Sequence, residues 1–99
     1  MAGDASNVTD LQYSKKSHIS STLNLQGYRT EEALDKADKY LDDAAIAGLG
    51  SVFIIHGKGT GALRDAVAKL LSDHPHVASY RSGNQNEGGL GVTVVELKE

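Results

Sequence analysis

Two hydrophobic periods alternate along the chain. Leu23 and Leu25 alternate with Asn24 and Gln26, which predicts a short half-buried strand over 22–26, ended by Gly27. Ala33, Leu34, Ala37, Leu41 and Ala44 then recur at helical spacing, while Asp35, Lys36, Asp38, Lys39, Asp42 and Asp43 fall largely outside that stripe. Thr30 is the expected N-cap, with Glu31 and Glu32 in the first turn where carboxylates suit the helix dipole. Gly48 and Gly50 are stop signals. Val52 to Ile55 is a continuous apolar run, which reads as a strand buried on both faces.

After His56 the helical period returns. A second helix opening at Thr60 or Gly61 turns Leu63, Val67, Leu70 and Leu71 inward, and His74-Pro75 closes it because the residue before proline avoids helical geometry. Val77 to Arg81 reads as a short strand, Ser82 to Gly91 as a glycine-rich polar loop, and Val92 to Leu97 as a strongly apolar strand.

The order is β-α-β-α-β-β, an α/β class chain. A strand–helix–strand unit crosses over right-handedly and makes its strands parallel. The most apolar strands, at Val52 and Val92, belong at the centre of the sheet, and those at Leu23 and Val77 at its edges. The first two strands then end at one edge, where Gln26-Gly27 and His56-Gly57 converge. Open α/β sheets bind ligands at such an edge.

Residues 1–21 are polar, with only Val8, Leu11, Tyr13 and Ile19 able to pack, and read as a disordered tail or linker; 22–99 reads as one domain. The chain has no cysteine, which excludes disulfides and thiolate metal sites. It shows neither a secretory signal nor the roughly 20 apolar residues of a membrane span, so cytoplasm is the expected location and no membrane partner is expected. A net charge of −3 argues against non-specific coating of nucleic acid, yet leaves room for a local basic site.

The chemistry concentrates in His56-Gly57-Lys58-Gly59-Thr60-Gly61. Glycines let a turn bend sharply and let a ligand approach main-chain N–H groups. The helix that follows aims its free N–H groups and positive end at the same place, which makes an anion site suited to phosphate. Lys58 adds a fixed cation. His56 adds an imidazole, which ordinarily titrates near neutrality and suits proton transfer in phosphodiester cleavage. The run is not a Walker A loop, because Gly-x-x-x-x-Gly-Lys-Ser/Thr is absent, so ATP hydrolysis is not expected.

Leu23-Asn24-Leu25-Gln26-Gly27 resembles a Leu-Asp-x-x-Gly motif, and His56-Gly57-Lys58-Gly59 a His-Gly-x-Gly motif, of the Smr (small MutS-related) domain family. Glu31 to Leu34, Gly59 to Arg64, Glu87 to Gly89 and Gly91 to Val95 extend the similarity, which is greatest to the Smr domains ending the second bacterial MutS lineage. The resemblance spans about Leu23 to Leu97. It implies two helices on one face of a four-stranded mixed sheet of order 1-2-4-3, the last strand antiparallel. It further implies nucleic-acid binding with endonuclease activity, DNA nicking or RNA cleavage, and an upstream ATPase and clamp region in the parent protein.

Carried onto this chain, the resemblance puts proton transfer on His56, phosphate at Gly57, Lys58, Gly59, Thr60 and Gly61, and strand positioning on Asn24 and Gln26. Arg29, Arg64 and Arg81 would widen a basic patch. Asn24 departs from the family's aspartate, and asparagine can neither accept a proton nor offer an anionic oxygen to a metal. Gln26 stands where the family often has a cation. These departures favour binding over cutting.

A divalent ion, Mg²⁺ or Mn²⁺, stays open as a cofactor, with no metal ligand assigned. His74-Pro75-His76 reads as a helix terminator with no third ligand nearby, and the carboxylates of 35–43 as fanned around a solvated helix. Tyr28 is placed either to stack on a base or to pack against its helix. Three functions follow: an endonuclease-type Smr domain acting on branched or duplex DNA or on RNA; a non-catalytic nucleic-acid-binding module of a repair, recombination or ribosome-associated protein; and, more weakly, a domain for a small phosphorylated ligand.

Overall fold

A computed structural model describes residues 19–99. The proposed tail therefore lies outside the described residues up to position 18. The elements are β1 (Thr22–Asn24), α1 (Thr30–Ile46), β2 (Ser51–Ile55), α2 (Ala62–Asp73), β3 (Val77–Ser82) and β4 (Val92–Leu97), with short 3₁₀ turns at Gln85–Glu87 and Gly89–Gly91. The sheet order is β1-β2-β4-β3. β1 and β2 are parallel, and β4 runs antiparallel to both β2 and β3. The expected α/β architecture, including its strand order, is the one observed.

The core follows from the two periods. Ala33, Ala37, Leu41 and Ala44 of α1 meet Val67 and Leu71 of α2 over Leu25, Val52, Ile54, Val95 and Leu97. Alanines on the inner stripe of α1 let that helix sit close to its neighbours, and the branched side chains fill the space between helices and sheet. Fully burying one of the larger side chains is worth about 1.5–3 kcal/mol. Tyr40 of α1 gives its hydroxyl to the Ser20 carbonyl, and burial pushes its phenol up to about 12.

Three local readings change. The first strand stops at Asn24, two residues early, because Asn24 Oδ1 accepts the Gln26 N–H at 2.9 Å and turns the chain away. The N-cap of α1 is Arg29 rather than Thr30: Arg29 is extended, and its N–H donates to Glu32 Oε1 at 3.3 Å.

β2 is buried on one face only. Val52 and Ile54 face the helices, while Phe53 and Ile55 lie half-buried on the other side. The strand with both faces covered is β4, whose outward Val92 and Val94 are flanked by Ile55 and Phe53 of β2. A continuous apolar run marks a central strand, and here that position shields the second face without a second helical layer.

Candidate nucleic-acid interface

β2 hands over to α2 through a turn that only glycine accommodates. Gly57, Gly59 and Gly61 have φ of +83°, +34° and +86°. Side chains strongly disfavour that region. The turn is anchored at its start: the N–H groups of His56 and Gly57 both donate to the Gly91 carbonyl, at 3.1 and 3.0 Å. It is anchored at its end by Thr60, whose hydroxyl accepts the Ala62 N–H at 3.3 Å.

Between those anchors, the amides of Lys58, Gly59, Thr60 and Gly61 have no acceptor among the described residues. They line a shallow depression of about 230 Å³, with Thr30 at the start of α1 on its wall. The N-terminal ends of both helices therefore border one site. The anion cradle is narrower than the sequence suggests, because the Gly57 N–H is already spent on Gly91.

The cations divide. Lys58 is exposed and, among the described residues, makes no ion pair. Arg64 folds back over the turn. A Cβ on Gly61 would lie 2.9 Å from its guanidinium, and its pairing with Asp65 is long at 3.5 Å and exposed. Arg29 is exposed at the start of α1, beside Thr30.

Arg81 does not join them. Its guanidinium grips Glu87 through two bonds of 2.7 and 3.0 Å, on the helix-free side of the sheet opposite Val94. That pairing, with the Asn84 N–H, holds the Glu87 carboxyl down at about 2 and raises Arg81. A committed guanidinium is no free phosphate ligand, so Arg81 shapes the loop instead.

Gln26 reaches the turn: its Nε2 would lie 3.0 Å from a Cβ on Gly57. Asn24 does not line the depression. It sits opposite Ile55 on the helix-free face, and its oxygen is occupied by the Gln26 N–H.

His56 is buried, unlike the exposed Lys58 two residues on. Its side chain points to the helix side and the residue is 6% exposed. Nδ1 lies 2.9 Å from the Gly57 carbonyl and Nε2 lies 2.8 Å from Thr93 Oγ1. Both nitrogens are engaged by the protein, and His56 also borders the depression. Thr93, 5% exposed, was missed; its only sequence signal is a hydroxyl inside an otherwise apolar run.

Residues 23–98 match the Smr domain. The chain belongs to the Smr domain family. It is 60% identical over 87 residues to Endonuclease MutS2 of Halothermothrix orenii, covering 88% of this chain and 11% of that protein. To Endonuclease MutS2 of Halalkalibacterium halodurans it is 63% identical over 81 residues, covering 82% and 10%. The chain thus spans about a tenth of the length of these relatives. Among solved structures, the Smr domain of Thermus thermophilus MutS2 superposes with a TM-score of 0.77 at 41% identity, covering 79% of this chain and 98% of that one. YdaL, a stand-alone small MutS-related protein from Escherichia coli, gives 0.76 at 30%, covering 80% and 65%.

The far end of α2 in this Smr domain carries a second cluster. The carboxylates of α1 do not simply fan out: Asp38 and Asp42, four apart, meet His74, with Nε2–Oδ1 distances of 3.1 and 3.4 Å. His76 approaches Asp42 at 3.7 Å. The ligand atoms of Asp38, Asp42 and His74 lie within 4.8 Å of one another, close enough for one cation to span. Yet His74 Nδ1 accepts the His76 N–H at 3.1 Å, which puts the ring proton on Nε2, facing the carboxylates. The group is complete as a proton-bearing staple between the helices. At the turn itself no carboxylate among the described residues lines the depression. Mg²⁺ is ordinarily held through one or two carboxylates, so the turn's own residues do not fit that ion.

Proposed function

We propose that this Smr domain binds the phosphodiester backbone of a nucleic acid at the turn from Lys58 to Gly61. One observation carries the reading: four consecutive main-chain amides with no acceptor among the described residues border the start of a helix, with Lys58 and Arg64 beside them. Each component is individually weak, since a helix end contributes about 0.3–1 kcal/mol to an adjacent charge. Together they give a shallow site fitted to one or two phosphates on a continuous strand. A shallow depression grips an isolated phosphate poorly, which ranks a polynucleotide above a free phosphorylated ligand.

Strand cleavage is the second reading. The names of the MutS2 relatives favour it, because they are called endonucleases. In this chain it requires His56 to exchange Thr93 or Gly57 for a water, and it proceeds without a carboxylate at Asn24. Binding requires neither change and stands as the primary function. The parent protein would carry this domain beside an ATPase and clamp region, and a cytoplasmic location suits such a substrate.

The test is an NMR titration with single-stranded, duplex and branched DNA and with RNA, at two salt concentrations. Shifts should centre on Lys58 to Arg64 and weaken with salt. Shifts confined to the His74 end, or none at all, would overturn the assignment. Nicking of supercoiled DNA by wild type and His56→Ala separates the second reading: equal rates remove His56 from cleavage.

A further inference from the structure

We propose that Thr93 is a positioning residue that anchors the ring of His56 and through it the direction of the phosphate turn. This rests on the binding function just described, but the argument for it is independent. A carbonyl oxygen only accepts, so the 2.9 Å contact from Nδ1 to the Gly57 oxygen requires the proton to be on Nδ1. In the neutral ring Nε2 is then a bare acceptor. The Thr93 hydroxyl at 2.8 Å must donate to it. Free neutral imidazole in histidine favours the opposite tautomer, with the proton on Nε2. The Gly57 carbonyl reverses that preference, and the Thr93 hydroxyl satisfies the nitrogen left bare, which holds the ring in place.

The consequence lies in the turn. With Nδ1–H holding the Gly57 carbonyl inward and Gly91 holding the His56 and Gly57 amides, the peptide leaving Gly57 has one orientation. The residues that follow, from Lys58 to Gly61, line the depression. Thr93 is on β4, 37 residues away in sequence, so the last strand of the sheet fixes a turn built by the second.

A threonine hydroxyl against a histidine nitrogen is also the arrangement of a base-activated nucleophile. Burial decides against that here: Thr93 is 5% exposed and His56 6%, so no phosphorus atom reaches the hydroxyl. Thr93 acts through His56, not on substrate.

Long-range ¹H–¹⁵N correlation spectra of the His56 ring test this on the free domain, for wild type, Thr93→Ser and Thr93→Val, followed by fluorescence-anisotropy titration with a labelled branched DNA. Wild type and Thr93→Ser are expected in the Nδ1–H form with equal affinity. Thr93→Val leaves Nε2 without a donor, so the ring should lose its single orientation: its Nε2 signal should shift and broaden, the amide signals of Gly57 to Gly61 should be displaced, and binding should weaken about fivefold, as expected for one lost hydrogen bond. A wild-type ring in the Nε2–H form overturns the proposal, whether or not the valine variant folds. So does a Thr93→Val protein that keeps the Gly57 to Gly61 amide signals and its affinity. If the ring and turn signals behave as expected but no variant binds nucleic acid, the anchoring of the turn stands and the phosphate assignment falls.

Discussion

Helix α2 has a buried histidine at each end, and the two are used in opposite ways. His56 precedes the helix and His74 caps its C-terminus, each 6% exposed. His56 spends its ring nitrogens on uncharged partners, a carbonyl and a hydroxyl, while the amides from Lys58 to Gly61 keep no acceptor among the described residues. His74 spends one nitrogen on a main-chain N–H and turns the other to two carboxylates. The N-terminal end thus keeps open positive potential, while at the C-terminal end charge is already matched. One helix, with one residue type at both ends, supports a binding edge and a structural edge. Burial does not distinguish them; what the partners can donate or accept does.

The comparison breaks most visibly at His74. Replacing it with alanine opens a cavity and removes the donor between Asp38 and Asp42, leaving two carboxylates adjacent with nothing between them. The expected loss is about 2–3 kcal/mol of folding stability, read by urea or thermal denaturation. Affinity for nucleic acid should be unchanged at a temperature where the variant is folded. A loss of affinity without a loss of stability would mean that the ends of α2 had been assigned the wrong way round.

At the other end the effects should reverse. Lys58→Ala touches nothing in the core, so stability should hold within about 0.5 kcal/mol. Affinity should fall about tenfold at low salt, and the slope of log affinity against log salt should drop by about one. Gly59→Ala provides a finer cut. Beyond its chain neighbours, no atom of the described residues lies within 4 Å of a Cβ built there, yet φ of +34° is poor for alanine. It should lose about 1 kcal/mol of stability and part of its affinity together, because the turn's conformation and its amides are one feature.

Much of the fold was legible because the two periods are clean. β4 has the expected limits, and the central places of β2 and β4 followed from their being the most apolar runs, in agreement with the order the resemblance implies. The glycine turn was legible too, since alternate glycines before a helix announce positive φ. Other features depended on contacts that sequence does not carry. A continuous apolar run at Val52 to Ile55 could not say which face the helices cover. The engagement of His56 depends on Thr93 in another strand, and the removal of Arg81 from the patch depends on Glu87. Asp38 and Asp42 carried the right helical spacing, but nothing local showed that the end of α2 would lie against them.

Asn24 offers a smaller and sharper test. Among the described residues its oxygen accepts the Gln26 N–H alone, a role an aspartate fills equally well. Asn24→Asp should therefore leave the fold and the turn amides unperturbed and change stability by less than about 0.5 kcal/mol. Any gain in nicking would place a reacting group on the helix-free face, beside Ile55 rather than over the turn, and would move the reacting centre away from the phosphate cradle.

The smallest expected effect concerns the loop that holds the turn in place. Gly91, whose carbonyl accepts the His56 and Gly57 amides, follows the segment pinned by Arg81 and Glu87. The guanidinium and the Asn84 N–H hold the Glu87 carboxyl at about 2, against an ordinary value of 4.5. Because the folded-state value is the lower one, the unfolded chain binds more protons between these limits. The pair's contribution is therefore complete above about pH 4.5 and is lost as pH falls toward 2. Hydrogen exchange of the His56 and Gly57 amides should accelerate, relative to the intrinsic rate, as acid enters that window. Glu87→Gln, already uncharged, should show faster exchange at neutral pH and a flatter response to acid. If the acid response of those amides is the same with glutamine at 87, the loop and the turn are uncoupled, and Gly91 holds the start of α2 without help from Arg81.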